Sequence, residues 1–130
     1  MKILVAYDGS KVTKEALQLA IKHAGVFNGS ILLVHSMVGG PEIPRKEFEA
    51  AEKELQQQEI MLKGDGLSCE TLLSVRGLEA GEDMVRIATE KKVDEIIIGL
   101  QRKSKVGKLL FGSTAQYIIL NAPCPVVTIR

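Results

Sequence analysis

Residue types that bind phosphate gather in one stretch of this sequence, GLQRKSKVGKLLFGSTAQ, which runs from Gly99 to Gln116. The stretch holds four cations and three glycines and leads into a predicted helix. Gly112 would let the backbone approach a ligand closely, and the segment from Ser113 to Gln116 matches a capping box that starts a helix. The free amides and the positive helix end at Ser113 and Thr114 would then form an anion site. The same residues also fit a solvated basic loop that ends in an ordinary helix cap.

The cations of this stretch do not complete a known phosphate-binding motif. In the P-loop pattern G-x-x-x-x-G-K-[ST], a match at Gly107 would put the first glycine at Arg102, and Leu109 replaces the hydroxyl. No G-x-G-x-x-G sequence follows the first predicted strand, so the dinucleotide fingerprint is missing as well. This stretch could therefore bind an anion only through its positive charges and the start of the following helix. The four cations are Arg102, Lys103, Lys105 and Lys108.

Asp8 is the second candidate, because it directly follows an apolar run, residues 2–7, that is typical of a buried strand. Its carboxylate could contact a ligand at the end of that strand, but an Asp before Gly9 is also what a turn and a helix start favour. His23 and His35 have no Ser, Cys or carboxylate at a spacing that suggests catalysis. The residues therefore predict binding and no dedicated catalysis.

Five short apolar runs alternate with four stretches of helical periodicity. The runs are typical of strands buried on both faces, and the stretch that begins at Val12 repeats its apolar residues at helical spacing. This alternation predicts an α/β fold with a doubly wound, five-stranded parallel sheet in the order 3-2-1-4-5 and helices on both faces. Such sheets bind ligands where the winding reverses, so Asp8 and Gly99 should face each other there. The predicted strands are residues 2–7, 31–36, 67–75, 93–99 and 125–130.

The composition is that of one ordinary globular domain spanning residues 1–130, with 45% apolar and 25% charged residues. A net charge of +1 argues against general binding to nucleic acid, and no apolar run is long enough to span a membrane. Cys69 and Cys124 lie far apart without metal-ligand spacing, as is usual in a reduced, cytoplasmic protein. We therefore expect a cytoplasmic protein with no nucleic-acid partner, no membrane anchor and no metal site of its own.

Over its whole length the chain resembles the universal stress protein family. The first strand ends in D-x-S, at Asp8 and Ser10, the second strand is ILLVHS, and VRGLEAGEDMVRIA and VDEIIIG follow. The tail GSTAQYIILNAPCPVVTIR is the most diagnostic part. The resemblance implies a Rossmann-like fold of the adenine nucleotide alpha hydrolase type.

Nucleotide-binding members of that family carry the loop G-x2-G-x9-G-[ST]. Gly99, Gly112 and Ser113 fall in register with this pattern, but Arg102 stands at the second glycine. Its side chain could close the site to ATP, or it could pair with a phosphate as a fork-shaped donor. The resemblance therefore implies ATP, with Mg or Mn, as the cofactor, and no cofactor if Arg102 closes the site.

By position, the resemblance assigns a place to each part of a bound nucleotide. Adenine would lie near Ala6 and the backbone around Ser36, and Asp8 would hold ribose hydroxyls or the metal. The phosphates would meet the glycine loop and the start of the following helix. The implied nucleotide-binding residues are Ala6, Asp8, Ser36, Gly99, Arg102, Gly112, Ser113 and Thr114.

The resemblance also implies an assembly and a role. The family pairs its last strands between subunits, so we expect a homodimer with Val126, Val127 and Ile129 at or beside the interface. The expected function is a cytoplasmic ATP-binding module that acts in stress response through protein partners the sequence does not name, with at most slow ATP hydrolysis. The alternative is a dimeric protein-interaction module in which Arg102 has abolished ATP binding.

Overall fold

The computed structural model describes residues 1–39, 42–100 and 112–130. Strands and helices alternate along the chain, as the apolar periodicity predicts. In order, the elements are β1 (Lys2–Ala6), α1 (Lys11–Phe27), β2 (Ser30–Ser36), α2 (Arg45–Gly64), β3 (Ser68–Ser74), α3 (Ala80–Glu90), β4 (Glu95–Gly99), α4 (Ser113–Asn121) and β5 (Val126–Ile129).

The strands form a five-stranded sheet in the order β3-β2-β1-β4-β5, with every neighbouring pair parallel. The predicted strand order is therefore confirmed. Because β1 and β4 are neighbours that are far apart in sequence, the winding reverses between them. The register places Ala6 beside Val34, and Gly99 beside Ile129, so the strands end together at one edge of the sheet.

Helices cover both faces of the sheet, and each face has its own apolar core. Ile3 and Val5 of β1 point to the core under α1 and α2, whereas Leu4 points to the core under α3 and α4. This two-sided burial explains why β1 is an uninterrupted apolar run instead of an alternating one. Within the described ranges, no helix combines the length and the apolar character that crossing a bilayer requires.

Helix α4 starts one residue earlier than the predicted capping box requires. Gly112 takes the N-cap position in an extended conformation, and its carbonyl accepts a hydrogen bond from the amide of Gln116 at 3.0 Å. Ser113 is already the first helical residue, and no side chain caps the helix. The prediction that Ser113 is the cap was therefore wrong by one residue, because the carbonyl that accepts the first helical bond belongs to Gly112.

Candidate functional site

A cavity of about 410 Å³ opens at the carboxyl edge of the sheet, where the winding reverses between β1 and β4. Its volume lies in the range of small-molecule sites in proteins. The cavity brings together every predicted nucleotide-binding residue that lies in the described ranges. These residues are Ala6, Asp8, Ser36, Gly99, Gly112, Ser113 and Thr114.

One side of the cavity is apolar. It is formed by Ala6 at the end of β1, Met84 of α3, Ile98 of β4 and Ile118 of α4. Met84, Ile98 and Ile118 are almost fully buried and belong to the core under α3 and α4. This side therefore offers a rigid apolar surface to the ring system of a ligand.

Asp8 brings a charged group to the cavity just after β1. Gly9 turns the chain with φ of +83°, and its successor Ser10 donates its amide to Asp8 Oδ1 at 2.8 Å. The Thr13 hydroxyl lies 3.0 Å from the same oxygen. Burial raises the pKa of Asp8, but these hydrogen bonds and nearby His35 outweigh it, so the pKa lies below its usual value. The carboxylate is therefore ionised at neutral pH, and both of these hydrogen bonds are made by Oδ1.

The amino end of α4 provides the anion-binding part of the cavity. Ser113 and Thr114 begin the helix and line the cavity, and the first amides of a helix have no partner within it. Among the described residues, no atom lies within 4 Å of a Cβ added at Gly112, which also lines the cavity. The arrangement can receive a phosphate or a carboxylate. Arg102, the departure from the family's loop pattern, lies outside the described residues.

Gly99 has a packing role that sequence reasoning missed. A Cβ added there would lie 2.9 Å from Val12 Cγ2 and 3.0 Å from the Val12 carbonyl oxygen. Real Cβ atoms do not approach other atoms this closely, so the end of β4 can pack against the start of α1 only as glycine. Gly99 lines the cavity, but close packing already requires it.

His35 also lines the cavity, although its spacing in the sequence gave no sign of a role. It is the penultimate residue of β2, half-buried, with Asp8 and Glu47 nearby. Burial lowers its pKa, and the two carboxylates raise it by less, so the net pKa lies below the usual value. His35 is therefore a neutral imidazole at neutral pH.

Asp83 of α3 is the second residue that sequence reasoning missed. Its side chain is buried, and it accepts hydrogen bonds from the Ser36 hydroxyl and from Arg76 Nε, the latter at 2.9 Å. Burial raises the pKa of Asp83, but the interactions with Ser36, Ser74 and Arg76 lower it by more, so the net pKa lies below its usual value. The available signal was a charged residue within the apolar stripe of α3, four positions before buried Ile87.

No cluster of three or more His, Cys, Asp or Glu side chains suited to a metal ion occurs in the parts of the chain that the structure describes. Asp8 can offer a single carboxylate at the cavity. Mg²⁺ is commonly held by one or two carboxylates together with a substrate's phosphates. The site therefore fits a metal that arrives with a phosphorylated ligand, and Asp8 is the residue that would contact it.

The strand β5 forms one edge of the sheet. Its predicted interface residues are half-buried within the chain: Val126 packs against the core under α3 and α4, and Val127 and Ile129 against the other core. Thr128, between them, is exposed. Nearby in sequence, α4 exposes Leu120 to 74%.

Comparison with known proteins agrees with this architecture. A universal stress protein from Thermus aquaticus is 32% identical over 134 residues, covering 98% of this chain and 97% of that protein. The structure of a universal stress protein from Archaeoglobus fulgidus matches with a TM-score of 0.88 at 34% identity, covering 100% of this chain and 98% of that one. A structure from the same organism, in complex with dAMP, matches with a TM-score of 0.83 at 30% identity, with the same coverage.

The family assignment does not depend on any single relative. The sequence model that describes the universal stress protein family matches residues 1–130. The whole length of the chain, including the β4 and α4 segments that frame the cavity, lies within this match. The chain belongs to the universal stress protein family.

Proposed function

We propose that this protein is an adenine nucleotide-binding regulatory module with ATP as its ligand. The observation that carries the proposal is the convergence of seven predicted residues on one cavity at the reversal of the sheet. Those residues come from β1, β2, β4 and the start of α4, so only the folded sheet brings them together. The A. fulgidus relative in complex with dAMP supports an adenine nucleotide as the ligand class.

In this proposal the nucleotide binds in a single orientation. The adenine lies on the apolar side, between Ala6 and Met84, and close to the end of β2 at Ser36. Asp8 accepts hydrogen bonds from the ribose hydroxyls or contacts a Mg or Mn ion carried by the phosphates. The phosphates meet the amides of Ser113 and Thr114, where the positive end of α4 stabilises negative charge.

The proposed role is regulatory binding. The titratable groups that line the cavity in the described ranges are compatible with binding a nucleotide: Asp8 is an anion that can accept hydrogen bonds, and His35 is neutral. We propose that nucleotide occupancy controls contacts with protein partners in a cytoplasmic stress response, and that any ATP hydrolysis is slow.

We also propose that the protein acts as a homodimer that pairs at β5. Two observations support this surface. The strand β5 lies at a sheet edge, where backbone donors and acceptors can pair with another chain, and α4 exposes Ile119 and Leu120 close by in sequence. A net charge of +1 opposes self-association only weakly.

A second candidate function rests on Arg102. The family's nucleotide loop has glycine at this position, and a long side chain there could occupy the space of the phosphates. In that case the protein would be a dimeric interaction module without ATP. The two functions differ in whether the purified protein binds a nucleotide.

The test is calorimetric titration with ATP and magnesium of three proteins: the natural chain, Arg102→Gly and Lys103→Gly. Lys103→Gly is the matched control, because it also removes one cation and adds one glycine to the same loop. The proposal expects micromolar binding by the natural chain. Binding by Arg102→Gly alone would favour the second candidate, and no binding by any of the three would refute the proposed nucleotide site.

A further inference from the structure

The hydroxyl of Ser36 has its hydrogen committed to a buried carboxylate. Ser36 Oγ is hydrogen-bonded to Asp83 Oδ2, and Asp83 is 1% exposed. The other oxygen, Oδ1, accepts a hydrogen bond from Arg76 Nε at 2.9 Å and forms an ion pair with Arg76 Nη2 at 2.8 Å. A carboxylate paired in this way is ionised and can only accept hydrogen bonds, so Ser36 must be the donor. The Ser36 oxygen can then offer a ligand only its lone pairs.

The Ser36 side chain faces the cavity side of the sheet. Side chains alternate along a strand, and Val34, two residues earlier, points into the core under α3 and α4. Ala80 and Met84 of α3 line the cavity together with Ser36, whereas Asp83 is not part of its lining. Ser36 therefore stands between the cavity and Asp83.

We propose that the Ser36–Asp83 pair makes this end of the cavity a hydrogen-bond acceptor, and that it thereby selects a purine with an exocyclic 6-amino group over its 6-oxo analogue. This inference rests on the proposed function, since it assumes that a purine nucleotide occupies the cavity. An adenine amino group can donate to the Ser36 oxygen. The 6-oxygen of hypoxanthine would face another oxygen that has no hydrogen left to share.

The expected size of this selection follows from one hydrogen bond. A typical bond in a protein contributes about 1 kcal/mol net, and an unpaired buried polar group costs about 1–3 kcal/mol. Since about 1.4 kcal/mol is a factor of ten in affinity, the natural chain should prefer AMP over IMP by at least about tenfold.

One substitution, Asp83→Asn, should reverse the preference so that the 6-oxo base is favoured, because Arg76 orients the new amide. In Asp83→Asn, we expect the new amide oxygen to take the place of Oδ1, because an amide nitrogen there would face the donors of the Arg76 guanidinium. The amide nitrogen then takes the place of Oδ2 and donates to Ser36. The Ser36 hydroxyl becomes free to donate into the cavity, which favours the 6-oxo base.

The experiment is calorimetric titration of the full chain with AMP and with IMP. The quantity measured is the ratio of the two dissociation constants, which general loosening of the fold does not change. The variants are Ser36→Ala, Asp83→Asn and, as the matched control, Ser74→Ala. Ser74 also lowers the pKa of Asp83 and is buried, but it does not line the cavity. Thermal melting of each variant checks folding.

The inference expects the preference for AMP to fall about tenfold in Ser36→Ala, to fall at least as far in Asp83→Asn, and to stay unchanged in Ser74→Ala. Equal binding of AMP and IMP by the natural chain would overturn the inference and leave the proposed function standing. A preference that survives Ser36→Ala would also overturn it. Should Asp83→Asn not fold, Ser36→Ala decides alone. Binding of neither nucleotide by the natural chain would overturn both the inference and the proposed function.

Discussion

At the scale of single residues, two glycines that share the cavity differ in what they do. A Cβ at Gly99 would collide with Val12, whereas a Cβ at Gly112 would meet no atom of the described residues within 4 Å. A motif pattern treats both as parts of one phosphate loop. The structure separates a glycine required by packing from a glycine that lines the cavity without a close packing contact among the described residues.

We therefore expect Gly99→Ala to destabilise the fold by about 1–3 kcal/mol, the usual cost of an overpacked contact. Gly112→Ala should lower stability by less than about 1 kcal/mol, as loss of a weak helix cap does. It should still weaken ATP binding, because it adds a methyl group to a residue that lines the proposed phosphate-binding end of the cavity. Urea unfolding and calorimetry measure the two effects.

Each of these two predictions would be contradicted by one outcome. If Gly99→Ala unfolds at the same urea concentration as the natural chain, Val12 and β4 are not packed as the structure describes. If Gly112→Ala binds ATP as tightly as the natural chain, the phosphates do not lie beside Gly112.

At the scale of elements, α3 and α4 together form the wall of the cavity. They touch at Gly81, where a Cβ would lie 2.9 Å from Tyr117 Cβ and 3.1 Å from the carbonyl oxygen of Thr114. Ala80 and Met84 of α3 and Thr114 of α4 line the cavity. The distance between the two helices therefore sets the position of the proposed phosphate-binding end.

Gly81→Ala should push the helices apart, lower stability by about 1–3 kcal/mol and weaken ATP binding, although Gly81 itself does not line the cavity. Gly25→Ala is the matched control: Gly25 lies inside α1 with nothing within 4 Å of an added Cβ. The free energy of unfolding of the control should rise by roughly 0.5–1 kcal/mol, because alanine is favoured over glycine inside a helix. Urea unfolding and calorimetry test both variants. Unchanged ATP affinity in Gly81→Ala would mean that the α3–α4 contact does not position the site.

At the scale of the whole molecule, the outer edge of β5 determines how two copies could pair. The carbonyls of Pro125 and Ile129 accept bonds from Ile96 and Leu100 of the β4 segment, at 3.0 and 2.7 Å. Since backbone groups alternate in direction along a strand, the amide of exposed Thr128 points to the free edge. Pairing with a second copy would use that amide.

Thr128→Pro should therefore break the proposed homodimer and leave the sheet within each chain intact, because proline removes only an outward amide. Thr128→Val keeps the amide and is the control that should remain dimeric. Sedimentation equilibrium measures the mass, and circular dichroism checks the fold. A natural chain with the mass of one subunit would refute the homodimer, and a dimeric Thr128→Pro would place its interface elsewhere.

The sequence by itself determined the class and order of the elements and most of the candidate site. Periodicities of about two and 3.6 residues are local properties, so the runs around β1 and α1 could be read directly from neighbouring residues. The connection rules of parallel sheets then placed Asp8 and Gly99 at the same reversal of winding. The strand order and the convergence on one cavity follow from these two steps.

Only the tertiary structure decided which partners those residues have. Ser36 meets Asp83 across 47 positions of sequence, and Gly99 meets Val12 between two elements that are not consecutive. Neither contact leaves a mark in local spacing, because it depends on which helix covers which face and on how closely the two pack. The acceptor character of Ser36 and the packing role of Gly99 arise from that packing, since side chains distant in sequence acquire their chemistry from the groups the fold places beside them.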